Sequence, residues 1–247
     1  MPTRKAPGPD GITMPILKML KEQMANSIAL LINRCILDGE FPNGWKEAVV
    51  VPIPKKDNSS DPNDYRPISL LPIVSKIAEA YFFTCLYPVI NESLSECQFG
   101  FRKMRSTTDA LFYFEHRVTT GFNECKKGNS ASKVGAVFFD VRKAFDTVPH
   151  HRLLKRLQDL NLPPNWLNFM SSYLLRFKNR SFKTRVGKAT SQEFKITTGV
   201  PQGSVLVPLL FLAYVDQIFE VKLSASTRLI LYAYDLAYVK PIPSPKE

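Results

Sequence analysis

An α+β fold is what this sequence predicts, and three observations carry it. Short β-branched runs alternate with longer stretches of helical apolar spacing. No strict strand–helix–strand repeat links them, as a parallel sheet with crossover helices would require. The 247 residues are 45% hydrophobic and include 17 Phe, 9 Tyr and 2 Trp, enough apolar mass for a core and too much for a disordered chain.

Taken in order, residues 1–15 hold Pro2, Pro7, Pro9, Pro15, Gly8 and Gly11, a rigid irregular entry. One helix is expected over 16–37, from Ile16, Leu20, Met24, Ile28 and Ile32, and the turn chemistry of 38–42 stops it. The run at 47–53 (EAVVVPI) predicts a strand, and 55–64 an exposed loop or hairpin tip. A second helix is expected at 73–90, and a polar link at 123–133. The run at 134–139 (VGAVFF) reads as a fully buried strand that ends at Asp140. Amphipathic spacing predicts helices at 151–160 and 165–175, and 182–186 with 193–197 reads as paired strands. A mostly apolar helix-like segment covers 203–219, and 228–232 is another short strand.

Formal net charge is +11, which favours polyanionic partners, nucleic acid before acidic membrane. The excess is concentrated: residues 141–188 hold eleven Lys and Arg against Asp146 and Asp159. Phe145, Trp166, Phe169, Tyr173, Phe177 and Phe182 are interleaved with them, a composition suited to tracking a phosphate backbone and stacking on bases. A solvated basic face over core aromatics has the same composition. The longest apolar run, 205–215, is far short of the roughly 20 residues of a spanning helix, so no membrane partner is expected. The first residues show no hydrophobic leader, and Cys35, Cys85, Cys97 and Cys125 form no CxxC pair. An intracellular, non-secreted chain with reduced thiols is the expectation; oligomeric state is open.

Three segments carry chemistry. In the first, an apolar strand delivers Asp140, with Val141, Phe145 and Asp146 close behind. A carboxylate on firm backbone suits a divalent cation, and an Asp at a strand–helix junction equally suits a helix cap. In the second, Thr198-Gly-Val-Pro-Gln202-Gly203-Ser204 is a tight loop before an apolar helix, whose unpaired amides suit an anion and whose Gln202 suits a base or sugar edge. An ordinary loop with Ser204 as cap is the plainer account. In the third, Leu231-Tyr-Ala-Tyr234-Asp235 is an apolar strand that turns at a single acid and resumes, placing a carboxylate at a hairpin tip. A plain turn Asp reads the same locally.

Together these segments resemble motifs A, B and C of reverse transcriptases in order and spacing, most closely the LINE-type (non-LTR) retrotransposon polymerases. APGPDGI at 6–12 resembles that group's entry segment; Trp45, VPIPK at 51–55 and YRPISL at 65–70 its fingers motif; QFGFR at 98–102 with Ser106-Thr107 its next block. The resemblance implies a right-hand polymerase, with an N-terminal extension and fingers over 1–133 and a palm of antiparallel strands backed by helices over 134–247. It implies two Mg²⁺ ions on Asp140, the Val141 carbonyl and Asp235, and in-line attack of a primer 3′-hydroxyl on a nucleotide α-phosphate. Lys55 and Arg66 would grip the triphosphate, Phe145 would sense the sugar, and Gln202 and Gly203 would lie along the template and incoming base. Arg102, Arg176, Lys178, Arg180, Lys183 and Arg185 would meet nucleic acid. The partners so implied are an RNA template, a DNA primer and deoxynucleoside triphosphates.

The sequence departs from that pattern at Tyr234, which stands where the family has a metal-bridging Asp. A phenol with pKa near 10 offers a neutral hydroxyl, not a hard anion, at pH 7. Val207 stands where the family has Gly, and the chain stops 12 residues after Asp235, so a truncated palm without a thumb is expected. Two readings follow: an RNA-directed DNA polymerase domain by descent, or a catalytically inactive nucleic-acid-binding remnant of one.

Overall fold

The computed structural model describes residues 6–57, 60–126, 133–141, 143–174, 181–195 and 198–242. They form two compact units, one of Met1–Val89 with Phe145–Leu210 and one of Ile90–Ala144 with Phe211–Glu247.

The first unit opens with two helices where periodicity predicts one, α1 (Met14–Met19) and α2 (Lys21–Asp38). Leu20 alone leaves the helical region, at φ −97° and ψ 17°. A break of one residue keeps the apolar spacing on both sides, which is why the pattern hides it. Strand β1 (Ala48–Pro54) and strand β2 (Tyr65–Leu70) make an antiparallel hairpin with Val51 opposite Ile68 and Ile53 opposite Arg66. Later strands β4 (Ser181–Val186), β5 (Ala189–Thr190) and β6 (Phe194–Lys195) complete a five-stranded sheet in which β4 runs parallel to β1 and antiparallel to both β5 and β6. The β4–β6 pairing agrees with the expected paired strands, whereas the parallel seam to β1 joins segments more than 120 residues apart and leaves no local signal.

Helices α5 (His150–Asp159) and α6 (Pro164–Leu174) pack their apolar faces inward through Leu153, Leu157, Phe169 and Leu174, all fully buried. Aromatic rings fasten this core. Phe169 meets Phe82 at 4.8 Å and Phe41 at 5.7 Å between centroids, and Phe41 meets Tyr173 edge-on at 5.1 Å. Two further helices, α3 (Ile73–Ser93) and α7 (Val207–Val215), extend past the unit boundary in sequence. At 21 residues α3 is long and apolar enough to cross a membrane, a stretch longer than the 205–215 run. Its Ile73, Ala78, Phe82, Leu86 and Ile90 are fully buried in the protein, as in the core helix of a globular domain.

The second unit is a three-stranded antiparallel sheet in the order β3 (Lys133–Asp140), β8 (Asp235–Ile242), β7 (Arg228–Tyr232), covered by α4 (Thr107–Lys126). The polar link expected from residue 123 is α4's last turn up to 126. The start of α4 is signalled by a reciprocal cap in which the Ser106 hydroxyl donates to Asp109 and accepts the Asp109 N–H, which holds the Asp109 carboxyl below its ordinary value. The core comprises Phe99, Ala110, Ile230, Ala237 and Val239, with Tyr113, Phe114 and Val118 of α4 against it. The expected full burial of β3 is not found. Among the described residues it pairs only with β8, and Val137, Phe138 and Phe139 are 50%, 70% and 51% exposed. An unbroken apolar run reports composition, not whether the strand is central or at an edge.

Phe169→Ala in the ring cluster is expected to cost about 3–5 kcal/mol, because its neighbours cannot all collapse into the space left. Urea denaturation of both chains measures this.

Candidate active site

In the second unit the sheet register sets Asp140 directly opposite Asp235, at the last pair of β3 and β8. Asp235 also pairs with Tyr232 across the tight β7–β8 turn, which consists of Ala233 and Tyr234. Ala233 takes a positive φ of 60°, which lets two residues reverse the chain. Both carboxylates are exposed at the strand ends. Partial desolvation, and then the negative charge of Asp140, push the Asp235 carboxyl above its ordinary value. Two like charges held together by backbone register are an arrangement that a divalent cation relieves. Tyr234 stands beside them in the turn as the sequence predicts. Among the described residues no group of three or more His, Cys, Asp or Glu side chains is placed to hold a metal. Two carboxylates meet at these strand ends, and no third acidic, His or Cys ligand joins them among the described residues.

In the first unit the Thr198–Ser204 loop is sewn to two neighbours. The Val200 N–H donates to the Phe145 carbonyl at 2.8 Å, and the Gly199 N–H to Val148 at 3.2 Å. His150, buried, holds the Gly199 carbonyl with Nε2 at 2.6 Å, and the Gln202 amide donates to Asp146 Oδ1 at 3.0 Å. On the other side the Ser69 N–H of β2 donates to the Gln202 carbonyl at 2.7 Å. Gly203, at φ 116°, approaches Ser69 so closely that a Cβ would lie 2.6 Å from its carbonyl oxygen; only glycine fits. The Ser204 hydroxyl accepts the Leu206 N–H at 3.1 Å, just ahead of α7, and donates to Glu79 at 2.6 Å. Glu79 further accepts the Val205 N–H at 2.7 Å, and Tyr173 shares a 2.8 Å hydrogen bond with the Ser204 hydroxyl. Glu79 and His150 have no motif signal of this kind in the sequence, and Tyr173 and Phe169, expected among aromatics suited to base stacking, are buried in the core. An acid inside an otherwise apolar helix was the one signal for Glu79.

Lys55 and Arg66 share the β1–β2 hairpin, both exposed, and Lys55 Nζ donates to the Asn63 carbonyl at 2.9 Å. Phe145 and Gln202 are half-buried. Lys183 and Arg185 alternate at exposed positions of β4. Arg176, Lys178 and Arg180 lie outside the described residues. Arg102 departs from the expectation of a nucleic-acid contact: its guanidinium donates to the Ser95 carbonyl at 2.7 Å, to Asn91 Oδ1 at 3.0 Å and to the Gln98 carbonyl at 3.2 Å, and so braces its own loop.

Helices packed with a five-stranded and a three-stranded sheet define the class as α+β. Solved telomerases share that fold. One from Candida tropicalis, in the apo state, matches 93% of this chain and 44% of its own with a TM-score of 0.55 at 14% identity. One from Candida albicans, in complex with a fragment of telomeric RNA, matches 94% and 43% with a TM-score of 0.52 at 12% identity. The sequence matches the family described as reverse transcriptase (RNA-dependent DNA polymerase) over residues 53–242, and the chain belongs to that family. Three similar proteins come from mobile elements of Drosophila melanogaster. The X-element RNA-directed DNA polymerase is 35% identical over 85% of this chain, and the jockey polymerase 35% over 85%. A 115 kDa protein of the R1 element is 33% identical over 95%. This chain spans 22% of the length of each of those relatives. The family uses divalent metal ions.

Replacing Asp140 with Asn is expected to bring the Asp235 carboxyl down toward, though not to, its ordinary value, since desolvation is the larger cause and remains. A raised acid pKa means that ionised Asp235 weakens the fold, and that the penalty is lifted as pH falls through its folded value. Carboxyl NMR titration of the two chains measures both effects.

Proposed function

We propose that this chain is a reverse transcriptase domain that holds an RNA template and a DNA primer and coordinates Mg²⁺ on Asp140, the Val141 carbonyl and Asp235. The observation that carries the reading is the register pairing of those two carboxylates. Bound there, Mg²⁺ would supply charge stabilisation for phosphoryl transfer to a primer hydroxyl. Around that chemistry the chain's own residues have separate tasks. Lys55 and Arg66 neutralise the nucleotide triphosphate. Phe145 excludes a ribose by its bulk, and Gln202 and Gly203 line the path of template and incoming base. Lys183 and Arg185, with the cations of 176–180, grip the phosphate backbone.

Tyr234 supports the second reading, a nucleic-acid-binding domain that transfers little. A missing metal-bridging carboxylate removes an interaction made in the transition state, and each ~1.4 kcal/mol is tenfold in rate. Primer extension on an RNA template with deoxynucleotides and Mg²⁺ decides between the readings. The unaltered chain is expected to extend roughly a thousandfold more slowly than Tyr234→Asp, or not at all. Asp140→Asn is expected to abolish whatever Tyr234→Asp gains. Equal synthesis by the unaltered and Tyr234→Asp chains would falsify the assignment of position 234 to the metal.

Binding of single-stranded RNA is expected to be sequence-tolerant and to weaken steeply with salt. Reversing the charge of Lys183 and Arg185 together is expected to lower the slope of log affinity against log salt by about 1.4, near 0.7 for each phosphate no longer neutralised on a single strand. Filter binding across a salt series measures the slope.

A further inference from the structure

Beneath the β7–β8 turn lies the 95–102 segment, which the proposed reaction leaves without a task. It is braced from three sides within its own unit. Asp216, buried, accepts the Ser95 N–H at 3.0 Å, and Arg102 holds the carbonyls of Ser95 and Gln98. Arg105 stacks its guanidinium 5.1 Å from the Phe99 ring. On its remaining side the segment joins β7 backbone to backbone: the Phe99 N–H donates to Leu231 at 2.8 Å and the Leu231 N–H to Cys97 at 2.9 Å.

At the centre is Gln98, with no solvent exposure. Its Oε1 accepts two N–H groups, from Gly100 at 2.9 Å and from Ala233 at 3.3 Å. Ala233 is the left-handed residue of the turn and immediately precedes Tyr234 and Asp235. The approach is closer still at Gly100, where a Cβ would lie 2.0 Å from the Ala233 nitrogen. The other polar atom of Gln98, Nε2, is buried without a hydrogen-bond partner among the described residues. A buried amide that leaves its donor unsatisfied is costly, so its oxygen is the atom that accounts for its presence.

We propose that Gln98 is the positioning residue of the Tyr234–Asp235 turn: its side-chain oxygen ties the Ala233 N–H to the braced 95–102 segment and so sets where the Asp235 carboxylate stands against Asp140. The inference rests on the reading of Asp140 and Asp235 as the cation site. It assigns QFGFR a task distinct from nucleic-acid contact, with Arg102 holding the platform and Gln98 holding the turn.

Amide hydrogen exchange by NMR on the full chain tests it, alongside Mn²⁺ titration followed by the electron paramagnetic resonance of the free ion. Gln98→Met removes the oxygen at constant length. The Ala233 amide is expected to exchange about tenfold faster than in the unaltered chain, while Leu231, held by the Cys97 carbonyl, keeps its rate. The Mn²⁺ dissociation constant is expected to rise about fivefold. Gln98→Glu keeps an acceptor for both N–H groups, at the cost of burying a carboxyl, and slow Ala233 exchange in it supports the oxygen's role. Unchanged Ala233 exchange in Gln98→Met, or equal acceleration at Ala233 and Leu231, overturns the proposal. If Gln98→Met does not fold, the unaltered chain decides: an Ala233 amide as fast as an exposed turn amide overturns it, and a protected one supports it. Failure of the cation reading looks different, because Asp140→Asn would then leave Mn²⁺ affinity unchanged while the Ala233 exchange still scores Gln98.

Discussion

Pairing Asp140 with Asp235 across β3 and β8 constrains the second unit more than any other contact, because register in a sheet is all or nothing. The same alignment sets Phe138 opposite Ala237 and Ala136 opposite Val239, so the residues that pack beneath α4 and the residues that meet at the strand ends are fixed by one choice. A slip of one position would turn the apolar set away from Phe99 and Ile230 and separate the two acids at once. Packing thus enforces the electrostatics: the sheet keeps two like charges together because the apolar pairs along it have nowhere else to go. The Asp235 carboxyl, raised first by partial desolvation and then by the Asp140 charge, carries part of the cost.

The first unit applies a different constraint to the Thr198–Ser204 loop, which is shaped by close approach and not by periodic pairing. Backbone bonds from Gly199 and Val200 tie it to the 145–148 turn, and a backbone bond from Ser69 ties it to β2. The absence of room for a Cβ at Gly199 and Gly203 means that these ties are made at contact distance. Buried Glu79 then closes the loop's exit onto α7 through Ser204 and Val205. Stretches near residues 69, 79 and 146, all distant from the loop in sequence, therefore specify its shape.

Much of this could be read from the amino acids. The hairpin of β7 and β8, the strands at 48–54 and 181–186 and the helices α3, α5 and α6 follow from apolar spacing and turn residues. The meeting of Asp140 with Asp235 follows from an acid at the end of each of two apolar strands. What stayed hidden has definite causes. The helix α4 is announced only by Ser106 and Asp109, since its exposed Leu111 and Phe112 blur the amphipathic pattern. Arg102 looks like any surface cation until its carbonyl acceptors are brought together by the turn at 95–98. Gln98 is a polar letter in an apolar context, and only the distance to Ala233 gives it a role.

The exposed strand β3 bears on how the protein behaves in concentrated solution. Its outer edge has no strand partner among the described residues, and Val137, Phe138 and Phe139 stand open to solvent there with Val141 just beyond. Natural sheets guard such edges with lysine, proline or a bulge; here Lys133 at the start and Asp140 at the end are the only charges along eight residues. A short, β-branched and aromatic edge with its backbone unpaired is a template for another chain. The strand that carries Asp140 to one tip of the sheet therefore also carries an open apolar edge, with its charges confined to the two ends.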